Sequence, residues 1–411
     1  MKILQPLPTF SPEVVKPSST KNSDSFVTLF AREPFRLFFP LATLAGIIGV
    51  LLWPLHLFGV MPTYPGQIHA RIMAHGLFAG FILGFLGTAM PRMLGARPLR
   101  PIEVLPISLA YLATTAAYIT GSIRLGSALF VTTFFIFASI MSPRLLKRKD
   151  LPPPGFILVA MSLLSGVAGA ILAALDLAEK LPTAHALERL LTYQGFVLLP
   201  ILGIGPFILP RFFGLQSAHD LPESLLPTRA WVRKAALAAT AGTLIIASFF
   251  IEASGSIRFA YALRFVVTAG YMLLEMPLKT GPGGANVFGA AIRISLIGIV
   301  SGFLAVALFP AYRVGLLHLT LVGGFAVITF VVASRVLFGH SGNLGSLKSR
   351  NRWFLIAIVL MLFGMATRIS GDFWPKIMAS HYIYGALLWI VGVGLWGFYA
   401  LPKALIRDAK K

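Results

Sequence analysis

The strongest constraint on the fold is a series of twelve apolar stretches, each long enough to cross a bilayer. A hydrocarbon core about 30 Å thick needs roughly 20 apolar residues per helix. With 57% of residues hydrophobic and only 12% charged, the composition excludes a soluble globular enzyme. We predict an all-α polytopic membrane protein with twelve transmembrane helices, numbered spans 1 to 12 in chain order. They lie near 37–58, 70–90, 102–121, 125–142, 155–176, 190–210, 233–252, 258–277, 286–309, 314–338, 353–370 and 380–401.

The basic residues predict how the spans are oriented. Lys and Arg cluster in the loops after spans 2, 4, 6 and 10, and such loops face the cytoplasm by the positive-inside rule. We therefore predict a bacterial inner-membrane protein with both termini cytoplasmic, whose net charge of +21 faces anionic lipid rather than nucleic acid. The predicted domains are a disordered cytoplasmic tail over 1–25, one membrane domain over 26–403, and a basic cytoplasmic tail over 404–411.

Histidines are concentrated at one predicted face of the membrane. The chain has no cysteine, so disulfides, iron-sulfur clusters and covalently attached c-type haem are excluded. Five histidines lie at span ends on the predicted outer face: His56, His69, His75, His318 and His381. Several imidazoles at one depth favour a metal or haem site over isolated structural histidines.

Helix geometry limits which of these side chains can act together. His69 and His75 are six residues apart, hence about 120° apart around a helix and about 9 Å along it, so they are expected to serve different centres unless one is structural. His69 and Met73 are four apart and share a face, as an imidazole and thioether pair for copper requires. The candidate metal ligands are His69, Met73, His75, His318 and His381.

A short repeat links every fourth span. Spans 2, 6 and 10 end in similar strings that each contain one arginine: Arg92, Arg211 and Arg335. Counting back 17 residues from each arginine reaches a polar residue: His75, Gln194 and His318. The pattern suggests three four-helix units related by pseudo-threefold symmetry. Chance recurrence is the alternative, because arginine is common at cytoplasmic helix ends.

Twelve helices in three arcs resemble the catalytic subunit of the haem-copper oxidases and nitric oxide reductases. In that family the second and tenth helices supply both imidazoles of a six-coordinate haem, and His75 and His318 lie on those helices here. Span 6 departs from the family, because Tyr193 and Gln194 stand where it has a copper-binding histidine. The similarity is therefore architectural.

Three strings resemble the NnrS family of haem- and copper-containing membrane proteins associated with nitric oxide stress. They are REPFRLFF over 32–39, GFLGTAMP over 84–91 and RVLFGHSG over 335–342. Many members read His-x-His-Glu-Met where this chain has His69, Ala70, Arg71, Ile72 and Met73, so the second His and the Glu are absent. The resemblance implies haem b, copper and protection against nitric oxide, with quinol or a separate carrier as electron donor.

The positions of these residues allow a hypothesis about their roles within a haem site. His75 or His69 would face His318 across the haem, and copper would draw on His69, Met73 and His381. The haem propionates would meet arginines near the outer span ends, namely Arg71, Arg264 and Arg368. Asp372 and Glu252 are candidate proton-handling carboxylates. With a second metal and an open iron position, nitric oxide would be reduced; with both positions filled, the haem would transfer electrons or sense the gas.

A secondary transporter with twelve helices is the rival interpretation. Pro200, Pro206 and Pro210 in span 6, together with the loop over 280–284, are compatible with discontinuous helices around a substrate site. Few polar residues lie near the predicted midplane, which disfavours transport. Within the membrane we also expect Arg293 to pair with Glu275, since an unpaired charge there is costly.

Overall fold

The computed structural model describes residues 25–276, 286–348 and 351–407, and all regular structure in these ranges is helical. Within them lie twelve helices long and apolar enough to cross a membrane, as predicted. The predicted tails fall largely at 1–24 and 408–411, outside the described residues. The spans are Phe35–Leu57, Gly66–Met93, Pro101–Ile119, Ile123–Leu146, Phe156–Ala174, Pro182–Phe212, Arg229–Ala253, Ile257–Glu275, Val287–Leu308, Pro310–His340, Arg352–Phe373 and Pro375–Leu405.

Span 6 is longer than the sequence predicts. It begins at Pro182 rather than near 190, because the turns over 182–190 are polar and a hydropathy pattern stops there. Glu188 in this segment is nevertheless only 1% exposed, since Arg71 of span 2 neutralises it at 2.9 Å. The added turns bring charged side chains to the centre of the helix bundle.

Spans 2, 6 and 10 lie at the centre of the bundle, and the other spans form a ring around them. Consecutive spans pack together where span 4 meets span 5 and span 8 meets span 9, and span 12 closes the ring against span 1. Spans 2 and 6 are the most buried, at 78% and 83% of their apolar windows, and span 6 contacts both span 2 and span 10. Each central span contains a π-helical segment: Ile72–Phe78, Leu191–Gly195 and Leu319–Ala326. Such segments are frequent at functional sites.

Proline does not interrupt span 6, which runs as a continuous α-helix over Phe196–Phe212. Pro200 has no N–H to offer the carbonyl of Phe196, and the Ser162 hydroxyl donates to that oxygen instead at 2.6 Å. Further along, the hydroxyl of Ser217 donates to the carbonyl of Pro206 at 2.8 Å, the oxygen that Pro210 leaves unbonded. The prolines therefore do not create the broken helix expected for a transporter.

The expected pairing of Arg293 with Glu275 is wrong. Glu275 instead accepts a hydrogen bond from Lys234 at 2.7 Å and is bonded to the His219 ring at 2.6 Å. The guanidinium of Arg293 lies over the Phe213 ring, 5.2 Å from its centroid. The carboxylate at the end of span 8 is thus satisfied by a neighbouring helix and by the loop after span 6.

A buried carboxylate joins spans 1, 2 and 10 at the end of the bundle where span 2 ends. Glu33 is 4% exposed and accepts hydrogen bonds from Arg36 at 2.7 Å, from Arg92 and from His340 at 2.8 Å. Arg36 also donates to the carbonyl of Ala404 at 2.7 Å. This group, the Glu33 cluster, ties both ends of the described chain to the central helices.

The three strings quoted above meet at the Glu33 cluster. Phe35 donates its backbone N–H to the Thr88 hydroxyl at 3.3 Å, and its ring centroid lies 4.8 Å from that of His340. A Cβ at Gly84 would lie 3.0 Å from the Cα of Phe35, so the helices approach closely there. The sequence pattern in these strings is therefore explained by packing and charge pairing.

Opposing effects act on the pKa of Glu33. Burial alone would raise it, but hydrogen bonds from His340 and Arg36 stabilise the carboxylate and lower the pKa from 4.5 to about 2. Because the folded-state pKa is lowered, this contribution to stability is present in full above pH 4.5. It is lost as the pH falls toward 2.

We predict that Glu33→Gln destabilises the protein by about 3 kcal/mol at neutral pH, because it leaves the buried guanidinium of Arg36 without its counter-charge. Thermal unfolding in detergent measures this, with the exposed Glu223→Gln as the matched control. The difference in unfolding midpoint between wild type and Glu33→Gln should shrink as the pH falls from 4.5 toward 2. A difference independent of pH would contradict this account.

Candidate functional site

A cavity of about 770 Å³ opens among the central spans at the end of the bundle where span 2 begins. Its volume lies in the range of about 300 to 1,000 Å³ typical of cofactor and ligand sites. Spans 1, 2, 6, 10, 11 and 12 supply most of the wall, with one residue each from spans 7 and 8. We call it the histidine cavity, because His69 and His318 both line it.

Both histidines are held by backbone carbonyls. The Nδ1 atom of His69 is 2.9 Å from the carbonyl oxygen of Gly49, and Nδ1 of His318 is 2.8 Å from that of Val314. A carbonyl only accepts, so Nδ1 carries the proton and Nε2 keeps a lone pair. Neither Nε2 atom has a hydrogen bond to another described residue. This is the tautomer and orientation of a metal-binding histidine.

His75 does not line the histidine cavity. Its Nδ1 atom is 2.8 Å from the Tyr118 hydroxyl, and its ring stacks on Phe130 with centroids 3.6 Å apart. Its Nε2 atom is buried without a partner among the described residues. The predicted arrangement of His75 facing His318 is therefore not formed, because the turn of the helix directs His75 toward spans 3 and 4. His69 is the histidine of span 2 that shares the cavity with His318.

The other predicted site residues separate into two groups. Met73, Arg71 and Arg368 line the histidine cavity, whereas Arg264 and His381 do not. Nδ1 of His381 is 3.1 Å from the carbonyl of Ile377, one turn earlier in its own helix.

Arg264 lies behind the cavity wall, fully buried. It donates to Oε1 of Gln194 at 2.8 Å and pairs with Glu252, and both of these partners line the cavity. Arg264 thus holds wall residues in place rather than facing a ligand.

Three arginine-carboxylate pairs line the histidine cavity: Arg71 with Glu188 at 2.9 Å, Arg313 with Glu252 at 2.8 Å, and Arg368 with Asp372 at 2.5 Å. Within the described part of the chain, Arg189 also lines the cavity and makes no ion pair. A low-dielectric wall strengthens such pairs, and it also strengthens the attraction of an additional acidic ligand to the cations. Asp372 and Glu252, predicted to handle protons, both lie at the cavity.

Sequence reasoning missed Glu188 and Arg313. Glu188 precedes the predicted start of span 6, so its burial was not apparent. Arg313 precedes His318 by five residues, and a charge so close to a membrane histidine was a usable signal. Tyr382 was also missed; its ring lies 3.8 Å below the guanidinium carbon of Arg368.

The side chains that line the cavity offer few metal donors, so they suit a metal cofactor that supplies most of the coordinating atoms itself. Among the described residues no group of three or more His, Asp or Glu side chains could hold a metal ion. Three histidines line the cavity: His69, His185 and His318. The pair from the central spans 2 and 10, His69 and His318, matches haem, whose porphyrin supplies four donors and leaves two positions for imidazoles. For copper, the wall offers the predicted soft pair His69 and Met73, and Met365 adds a second thioether.

These features define a polytopic membrane protein with a large cavity, lined by histidines and ion pairs, near one end of its helices. The family model described as NnrS protein matches residues 29–407. The chain belongs to the NnrS family, and this membership links it to the nitric oxide response. No curated protein shows significant similarity to the chain.

We predict that Glu188→Gln destabilises the protein by about 3 kcal/mol, because Arg71, itself 4% exposed, would keep a buried charge without a partner. The double variant Arg71→Met with Glu188→Leu should recover much of this loss, since no charge then remains buried. Thermal unfolding at one scan rate compares them, with Glu223→Gln as the exposed control. A double variant no more stable than Glu188→Gln alone would count against the pair.

Proposed function

We propose that this protein binds haem b in the histidine cavity, where His69 and His318 would hold the group, and acts on nitric oxide. The observation that carries the proposal is the pair of imidazoles from two different spans, each with Nδ1 bonded to a carbonyl and Nε2 left for the cavity. The NnrS family match supports the link to nitric oxide. When bound, the haem would supply an iron centre that exchanges electrons, and it would bind the gas where one of the two histidines leaves the iron.

The wall residues have complementary tasks in this proposal. Arg189 and Arg368 attract the haem propionates, because guanidinium groups form strong charge-assisted hydrogen bonds with carboxylates. Arg71 adds to the positive electrostatic potential in the cavity. Its guanidinium is paired with Glu188, as that of Arg368 is paired with Asp372. In this proposal Glu252 and Asp372, which both line the cavity, relay protons to a reaction inside it.

The reaction we propose is reductive removal of the gas. Two nitric oxide molecules, two electrons and two protons give one nitrous oxide and one water. The electrons come from quinol or a separate carrier, and the protons pass through the wall carboxylates. Copper is a second proposed metal: it would use His69 and Met73, so it would compete with haem for His69. His381 is left out of this site because it lies outside the cavity.

We further infer that the protein lies in the bacterial inner membrane with both termini in the cytoplasm. The basic loops after spans 2, 4, 6 and 10 support this orientation. The ring closure and the three π-helical central spans support three related four-helix units. In this arrangement the histidine cavity faces outward, and the Glu33 cluster faces the cytoplasm.

We predict that His318→Ala and His69→Ala each remove most of the haem, because each deletes an axial ligand. Haem content is measured by absorbance per mole of purified protein. His56→Ala is the matched control, since its Nδ1 is also bonded to a carbonyl, that of Met61 at 2.9 Å, but it does not line the cavity. His75→Ala should also retain haem. Equal haem retention in His318→Ala and His56→Ala would contradict the assignment.

The same preparations separate the competing functions. Wild-type protein whose Soret band shifts with nitric oxide and which forms nitrous oxide with a reductant supports reductive removal. Haem-loaded protein that forms no nitrous oxide favours electron transfer or gas sensing. Colourless protein with metals at background level would overturn the haem proposal and favour a secondary transporter.

A further inference from the structure

A second, smaller cavity lies on the axis of the bundle between spans 2, 6 and 10. Its volume is about 90 Å³, and we call it the axial cavity. It shares two lining residues, Phe78 and Val197, with the histidine cavity. The two spaces are therefore neighbours, separated by no more than these side chains.

The axial cavity is almost wholly apolar. Of its lining residues, Thr329 alone has a polar side chain, and its hydroxyl donates to the Phe325 carbonyl at 2.7 Å within its own helix. A buried water normally needs two to four polar partners. With the single hydroxyl already engaged, the cavity offers water too few hydrogen bonds and should stay dry.

The composition of the central spans explains why space remains there. Phe78, Phe81 and Phe85 of span 2 present rigid aromatic rings to this space, and Pro200 of span 6 presents a small, rigid ring. Rigid rings cannot change shape to fill the space beside small neighbouring residues. The cavity is therefore a consequence of the sequence of the central helices.

We propose that the axial cavity is a binding site for a small apolar gas molecule of the chemical class of nitric oxide. A volume of about 90 Å³ is large enough for a diatomic gas molecule. Dry apolar cavities of somewhat larger size, about 150 Å³, bind xenon or benzene in other proteins. The choice of nitric oxide rests on the proposed function; the existence of the gas site does not.

The axial cavity lies where it can supply gas to the histidine cavity. Nitric oxide is small and apolar enough to enter the protein from the bilayer. Around the axial cavity the central spans are closely packed, so the cavity is the space that the gas can occupy. A gas molecule held at Phe78 and Val197 is already beside the histidine cavity. The axial cavity thus raises the local concentration of gas at the proposed haem site without a polar channel.

Xenon tests the site without requiring haem. Crystals of the full-length protein under xenon pressure should show xenon between spans 2, 6 and 10. Val332→Phe places a ring in the cavity and should abolish this density. Val391→Phe makes the same substitution at a lipid-facing position, 52% exposed on span 12, and should leave xenon in place. Ile204→Trp fills the cavity from span 6 and serves if Val332→Phe does not fold.

The outcomes separate this proposal from the preceding one. Xenon bound in wild type and in Val391→Phe, but absent from the filled variant, supports the gas site whether or not the protein carries haem. Absence of xenon from wild type, or equal xenon in wild type and the filled variant, would overturn it. A lipid or detergent chain occupying the cavity in the xenon-free crystals would also overturn it.

Discussion

A polar group inside a bilayer has no water to bond with, so the protein itself must satisfy it. In the described residues this requirement separates the charges into clusters near the ends of the helices. At one end Glu33 accepts hydrogen bonds from two arginines and a histidine. At the other, three arginine-carboxylate pairs line the histidine cavity. The axis between them is left to aromatic and aliphatic side chains, which is where the small dry cavity forms.

The two ends of the helix bundle have different roles in this protein. The strings that carry the family resemblance meet at the Glu33 cluster, where both carboxylate oxygens of Glu33 and both ring nitrogens of His340 have hydrogen-bond partners from neighbouring elements. The histidine cavity is built differently, because His69 and His318 each keep one ring nitrogen without a hydrogen bond to the described residues. An imidazole whose Nδ1 is held by a hydrogen bond and whose Nε2 has no partner is available to bind a ligand through Nε2. The functional assignment therefore follows from hydrogen bonding and not from the resemblance alone.

Much of the fold could be predicted from the sequence because spanning a bilayer imposes a length and a hydropathy on each helix. The twelve spans are recovered on this basis alone. The start of span 6 was missed because burial of Glu188 depends on Arg71, 117 residues away in sequence. The pairing of Arg293 with Glu275 failed for the same reason, since closer partners come from other elements.

The candidate site was recovered only in part. Sequence identified His69, His318, Met73, Arg71 and Arg368 as site residues, and the structure brings these five to one cavity. It also singled out His75, whose direction depends on the rotation of a helix that changes from α to π at Ile72. That local change in winding has no simple sequence signature. Which of two histidines on one helix faces a cavity therefore required the structure.

The most direct test of the central claim is an experimental structure of the purified protein, with the cavity contents resolved. The account predicts a planar macrocycle in the histidine cavity, with its metal bonded to Nε2 of His69 and of His318. Haem bound at His75 instead, or a cavity containing only water or lipid in protein that was purified with its cofactors, would contradict it.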